Sequence, residues 1–129
     1  MKEKNKSNKP ISSELIVKYA IKGIEEKKGK NIQVFDLRGQ EHAVCDFFVI
    51  CNADSKTQVD AIAYSVEHEI KQGVGESPWQ GEGYGNAEWI LIDYVNVVVH
   101  VFQTQVREFY RLEGLWADAK ITNIETSFA

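Results

Sequence analysis

Residues 88–102, EWILIDYVNVVVHVF, constrain the fold more than any other part of the chain. Two apolar runs meet at a short break, each of strand length and rich in Val and Ile, which is the pattern of a buried β-hairpin. With Val95 and Asn96 as a two-residue turn, Tyr94 faces Val97, Asp93 faces Val98, Ile92 faces Val99, Leu91 faces His100, Ile90 faces Val101 and Trp89 faces Phe102. One face then carries Ile90, Ile92, Tyr94, Val97, Val99 and Val101, a core face. The other carries Trp89, Leu91, Asp93, Val98, His100 and Phe102, and this mixture admits two readings. It is either a second, smaller core under a helix, with Asp93 and His100 hydrogen-bonded, or a partly exposed binding face anchored by Trp89, a residue type favoured at interface hot spots. A turn of another length would exchange the faces, so everything here depends on register.

The remaining elements follow from periodicity and punctuation. In residues 10–31, Leu15, Ile16, Tyr19, Ala20 and Ile24 recur at helical spacing, with Ser12 or Ser13 as the cap and Gly29 as the stop. Residues 31–38 read as a strand. Residues 46–51, DFFVIC, are a near-continuously apolar strand, as expected for a central position. Residues 55–73 form the clearest helix: Ser55 and Gln58 match a capping box, Val59, Ile62, Ala63, Val66 and Ile70 make one stripe, and Gly73 suits the left-handed end. Residues 73–87 hold five glycines in fifteen positions and read as loop, with a short edge strand near 78–81. After the hairpin, Thr104 caps a helix whose apolar face is Val106, Phe109, Tyr110 and Leu112, and Gly114 bends it before Leu115 and Trp116. Residues 120–129 carry no strong pattern and are expected to be a loose tail. The order α-β-β-α-β-β-α gives an α/β fold: one mixed sheet of four to five strands with helices packed on it, a single sandwich domain over residues 11–119. Residues 1–10 are a basic segment expected to be flexible.

Charge narrows the partners. The chain has a net charge of −4, but residues 1–10 carry +3, from Lys2, Lys4, Lys6 and Lys9 against Glu3, leaving −7 on the rest. Between Lys71 and Arg107 there is no Lys or Arg, whereas Glu76, Glu82, Glu88 and Asp93 all fall there. A surface built from that segment repels phosphate and attracts a basic partner. No apolar run approaches the roughly 20 residues of a membrane helix. The N-terminus lacks a signal-peptide pattern, and the cytoplasm is the expected compartment.

Candidates for chemistry are few. His42, His68 and His100 are widely spaced, and neither an HxxxH pair nor a CxxC motif occurs, so a metal site has little support. Cys45 and Cys51 flank a strand as small buried thiols do, and they set up no disulfide framework. The glycine-rich GEGYG (81–85) precedes a strand and has no basic neighbour, so it matches no phosphate-binding loop. Asp36, Asp46 and Asp93 sit on or beside three strands, where such acids in principle gather around Mg²⁺. That leaves a nucleotidyltransferase-like, Mg²⁺-dependent enzyme as one rival reading, and a plain dimeric scaffold as another.

Taken together, DFFVICNADSKTQVDAIAYSVE (46–67) and DYVNVVVHVFQTQVREFYRLEGLWADA (93–119) closely resemble the ribosomal silencing factor family, also called RsfS or Iojap-like. The likeness runs over residues 15–119. Its specific pieces include the D-x-F-V-I-C strand, Glu82–Gly83 in the glycine-rich loop, W-x-x-x-D-Y before the turn, V-V-V-H on the return and R-x-F-Y-x-L-E-x-L-W in the last helix. Two positions depart from it: the family usually has Gly-Asp where Val95-Asn96 stands, and an aliphatic residue where Trp79 stands. The resemblance implies a nucleotidyltransferase-like α/β sandwich without its catalytic residues, hence no enzyme and no cofactor. It further implies a factor that binds ribosomal protein number fourteen of the large subunit and blocks joining of the small subunit, lowering translation when nutrients are short. A homodimer is implied as well, with contact to ribosomal RNA secondary. Carried over by motif, the partner-binding residues are Glu82, Gly83, Trp89, Asp93 and His100, to which the face argument adds Leu91 and Phe102. Asp46 matches a motif position but suits a structural role, and Tyr110, Leu115 and Trp116 suit core packing or dimer contact.

Overall fold

The computed structural model describes residues 12–116 and 118–125. The elements are α1 (Ser13–Glu26), β1 (Lys30–Asp36), β2 (Phe47–Ala53), α2 (Lys56–Val74), β3 (Gln80–Glu82), β4 (Trp89–Asp93), β5 (Val97–Gln103), α3 (Thr104–Tyr110), α4 (Leu112–Leu115) and β6 (Lys120–Asn123). Among the described residues the strands make one six-stranded sheet in the order β3-β4-β5-β2-β1-β6. The central β2 and β5 are parallel, and every other neighbouring pair is antiparallel.

Alternation along the strands divides the interior into two cores. Phe47, Val49, Cys51 and Ala53 of β2 and Val97, Val99 and Val101 of β5 face α1 and α2. Phe48, Ile50, Val98 and Phe102 face the other way, toward Leu112, Ala119 and the half-buried Trp116. Every residue of β2 is therefore buried, which is why it lacks polar alternation. The two long helices approach closely at Gly23, where an added Cβ would lie 2.7 Å from the Val66 Cα, and there Ser65 Oγ donates to the Gly23 carbonyl at 2.8 Å.

Caps fix the helix ends. Ser12 accepts from the Leu15 N–H and Ser55 from the Gln58 N–H. Gln58 does not complete a capping box: its amide donates to the carbonyls of Lys27 and Lys28, tying the start of α2 to the end of α1. The left-handed residue after α1 is Lys28 (φ 61°), one position before the expected Gly29, and the Gly29 N–H reaches back to the Ile24 carbonyl. In α2 the stop is Gly75 (φ 84°); Gly73 lies inside the helix, and a glycine is needed there because the Tyr19 ring lies where a Cβ would be.

The hairpin pairs in the expected register, Trp89 with Phe102 through Asp93 with Val98. Three expectations need correction. Residues 120–123, expected to be loose, form β6, which pairs with β1 from Gln33–Asn123 to Asp36–Lys120 and brings the strand count to six. Backbone pairing on an exposed edge leaves no apolar pattern to read. The last helix breaks at Arg111 (φ 51°) and not at Gly114, which lies inside α4. Thr104 opens α3 without capping it, since its hydroxyl donates to Asp54 Oδ1 at 2.7 Å and accepts from Asn52 Nδ2 at 2.9 Å. Residues 1–10 lie outside the described residues. Among the described residues no helix is long and apolar enough to cross a membrane.

Candidate functional site

The mixed face of the β4–β5 hairpin resolves into a gradient from core to surface. Phe102 is fully buried, and the Trp89 ring stacks on it with centroids 4.8 Å apart at 28°. Tyr110, on the last turn of α3, lies 4.9 Å from Trp89, and Phe109 packs edge-on against Tyr110 at 5.1 Å. Exposure rises along this aromatic ladder from 1% at Phe102, through the half-buried Trp89, to 51% at Tyr110 and 79% at Phe109.

His100 locks the ladder from the side. The Trp89 indole Nε1 donates to His100 Nδ1 at 3.0 Å. A ring nitrogen that accepts must be unprotonated, so the neutral imidazole carries its hydrogen on Nε2. That Nε2 is buried without a partner. Phe48 meets the ring edge-on at 4.7 Å. Burial alone pushes the His100 pKa down from 6.5 to about 4, so the ring is neutral at physiological pH.

Cross-strand rows place the remaining candidates. Glu82 on β3 pairs with Leu91, which pairs with His100, so Glu82 stands at the exposed rim of the same face. Gly83 (φ 90°) is there for a backbone reason: a Cβ would sit 2.0 Å from the Trp89 carbonyl oxygen. Asp93 is half-buried, and its Oδ1 accepts from the Val95 N–H at 2.7 Å, which shapes the turn. The face thus has a buried part and an exposed part. His100 and Phe102 form a small second core, whereas Trp89, Tyr110, Phe109 and Glu82 reach the surface above it. His100 and Phe102, expected among the contact residues, are buried, and both touch Trp89.

The sequence profile described as "Ribosomal silencing factor during starvation" matches residues 10–128. The chain belongs to the ribosomal silencing factor family. It is 36% identical over 115 residues to a "Ribosomal silencing factor RsfS" of Halalkalibacterium halodurans, an alignment spanning 89% of this chain and 97% of that one. It is 34% identical over 110 residues to "Protein Iojap, chloroplastic" of Zea mays, covering 83% of this chain and 45% of the maize protein. A crystal structure of a protein from Chromobacterium violaceum superposes with a TM-score of 0.77 at 31% identity, over 92% of this chain and 97% of that one.

For this silencing factor family member, the rival acidic triplet does not assemble. Asp36 is held by the Arg38 guanidinium at 2.8 and 2.9 Å, which lowers its pKa. Asp46 accepts from the Ser13 hydroxyl at 2.7 Å, the structural role its position at the strand start suggests. Asp93 is committed to its turn. Among the described residues no three His, Cys, Asp or Glu side chains are placed to hold a metal ion. The two thiols are unpaired, Cys51 buried and Cys45 half-buried, and desolvation pushes them up to about 12 and about 11.

Sequence reasoning placed Phe109 on the apolar face of the last helix and gave Tyr110 core packing or dimer contact, without foreseeing that both reach the surface. The available signal was their adjacency: consecutive helical residues point about 100° apart, so both cannot face one narrow core. Leu115 is also exposed, at 72%, whereas Trp116 is half-buried against Phe48 at 5.9 Å.

Proposed function

We propose that the chain is a non-catalytic repressor of translation that docks on the large ribosomal subunit through a basic ribosomal protein, number fourteen of that subunit in the resemblance. Its bulk then prevents the small subunit from joining. The observation that carries this reading is the aromatic ladder ending in exposed Tyr110 and Phe109, together with the exposed carboxylates Glu82 and Glu88 on the loop and strand before Trp89, a stretch with no Lys or Arg from residue 72 to residue 106. Aromatic side chains over a rigid floor are favoured interface anchors, and an acidic rim steers a basic protein toward them while repelling RNA phosphates. Trp89 joins the two parts, because it is held by Phe102 and His100 beneath and supports Tyr110 above. Repression under nutrient shortage and a homodimer, both implied by the resemblance, complete the proposal.

The deciding experiment is sedimentation of the purified chain with separated ribosomal subunits at two salt concentrations. Migration with the large subunit alone, weaker at high salt, and fewer joined ribosomes after addition of small subunits are expected. No association at either salt overturns the reading. Sedimentation equilibrium of the free chain tests the homodimer.

A further inference from the structure

The hold of α3 on the sheet is largely polar. Of its seven residues only Arg107 is buried; Val106 is half-buried against the second core, and Gln105, Glu108, Phe109 and Tyr110 are exposed. A helix this short has little stability of its own, so its contacts with the sheet decide where its side chains point. Between it and the neighbouring strands lies a cleft of about 660 Å³, lined by Thr104, Arg107 and Glu108 of α3 and by Asn31, Gln33 and Asn123. Apolar packing does not fill that space.

Arg107 bridges it. One guanidinium nitrogen, Nη1, donates to the Asn31 carbonyl at 2.6 Å and to Asn52 Oδ1 at 2.9 Å, and the other, Nη2, donates to Gln33 Oε1 at 2.7 Å. Those acceptors lie on β1 and β2, and each carboxamide is tied in turn. Asn52 Nδ2 donates to the Thr104 hydroxyl at 2.9 Å, and Gln33 Nε2 donates to Asn123 Oδ1 at 2.8 Å. The strand is itself distorted where Arg107 meets it. Asn31 is left-handed (φ 53°), and the β1–β2 register slips between Lys30 and Gln33. An irregularity of this kind withdraws backbone groups from the ladder, and here the Asn31 carbonyl turns to the guanidinium. A non-glycine residue at positive φ is costly and persists where its surroundings fix it.

The consequence lies one turn further along the helix. Tyr110 follows Arg107 at the spacing that makes helical neighbours, and its ring lies 4.9 Å from Trp89, with Phe109 edge-on to it at 5.1 Å. A shift of α3 that broke the Arg107 bonds would carry Tyr110 off Trp89. We infer that Arg107 is the positioning residue of the docking face: by fixing α3 to β1 and β2 it sets Tyr110 on Trp89 and aims Phe109 outward. The inference rests on the docking reading above, whereas the placement of Tyr110 is a property of the free chain. Charge alone does not suffice for this role. Lysine carries its charge on one nitrogen and lacks the planar fork that serves both strands at once.

The test uses the full chain and has two arms. In the free chain, nuclear Overhauser contacts between the Trp89 and Tyr110 rings should be present in wild type. In Arg107→Lys they should be lost, while the amide shifts of α1, α2 and the hairpin stay in place. In sedimentation with large subunits, at a temperature where the variant is folded, Arg107→Lys should bind about tenfold more weakly than wild type. In a Tyr110→Ala background the same change should cost about threefold or less, because the ring through which it acts is already gone. Equal losses in both backgrounds overturn the proposal, as does a Trp89–Tyr110 contact preserved in folded Arg107→Lys. Gln33→Ala removes one acceptor and keeps the guanidinium, so it answers the question if Arg107→Lys does not fold. It should weaken the ring contact and lower binding about threefold, and wild-type values for both would overturn the proposal. Failure of wild type to bind large subunits would sink the docking reading alone, and the ring contact in the free chain would still decide the role of Arg107.

Discussion

The indole N–H of Trp89 donates to Nδ1 of His100 at 3.0 Å across the diagonal of the β4–β5 pair, and this one bond joins a buried strand to the surface of the proposed docking face. It requires a neutral imidazole. Protonation would replace the acceptor with a second donor pointed at an indole N–H, in a site that already disfavours charge.

A pH dependence follows from that bond. The unfolded chain takes up the His100 proton near pH 6.5, and the folded chain only near pH 4. The unfolded state therefore binds more protons between those values. The contribution of His100 to stability is full above about pH 6.5 and is lost as pH falls toward 4, by about 3 kcal/mol in total. Chemical denaturation of wild type and His100→Gln across this window isolates the effect, since Gln accepts from the indole but does not titrate. A flat difference between the two proteins would mean that the ring protonates in place.

Tyr110 and Phe109 separate binding from folding more cleanly than Trp89 does. Both are more than half exposed, so Phe109→Ala and Tyr110→Ala should leave stability nearly unchanged, within about 1 kcal/mol. Truncating an interface anchor costs about 2 kcal/mol or more of binding. The double variant should therefore lose large-subunit association while its denaturation curve barely moves. Trp89→Ala should lose both, because the indole is also packing for Phe102 and Tyr110. Normal ribosome binding by the folded double variant would place the contact surface elsewhere.

How far these features were legible depends on which force makes each of them. The central strand β2 and the hairpin register were readable because burial writes itself into composition and period: seven consecutive buried positions leave no room for polar alternation. The two edge elements differ. β3 was anticipated from the loop around Pro78, but β6 is held mainly by backbone bonds to β1, and three of its four side chains are exposed, so its residues resemble those of a coil. The break at Arg111 was hidden because a non-glycine residue holds a left-handed conformation there, while Gly114 nearby advertises a break that does not occur. In the hairpin, periodicity divided the residues correctly between the two faces but did not give their depth. Whether His100 is a floor or a contact depends on Leu112, Trp116 and Ala119 closing over that core, and those residues sit beyond the unforeseen break.

Gly83 tests whether the loop before β4 is shaped by the backbone. Its left-handed φ of 90° strains any other residue, and an added Cβ would meet the Trp89 carbonyl oxygen at 2.0 Å. Neither part can yield by a side-chain rotation, since the obstacle is backbone paired in β4. Gly83→Ala should destabilise by at least about 2 kcal/mol, read as a lower thermal midpoint. Wild-type stability in this variant would show that the loop can leave β4 without consequence.

Val95 is the opposite case, a residue in a conformation that suits glycine better. It sits at the hairpin tip with φ 75°, and the Asn96 N–H bonds back to the Tyr94 carbonyl at 2.9 Å, a tight three-residue turn. A β-branched residue in this region is a marked outlier, at a cost of about 1–3 kcal/mol. The turn persists because its surroundings fix it: Asp93 Oδ1 accepts from the Val95 N–H, and the Asn96 carbonyl accepts from the N–H groups of Asp46 and Phe47 at the start of β2. The Val95 side chain is 58% exposed, so removing it sacrifices little packing. Val95→Gly relieves the strain while adding up to about 1 kcal/mol of backbone entropy to the unfolded chain. Relief outweighs that loss, and the variant should be more stable by about 1 kcal/mol, a rise of roughly 4 °C in Tm. Val95→Ala, which removes the branch but keeps a Cβ at positive φ, should recover only part of this. Equal or lower stability of the glycine variant would show that the turn is unstrained as it stands.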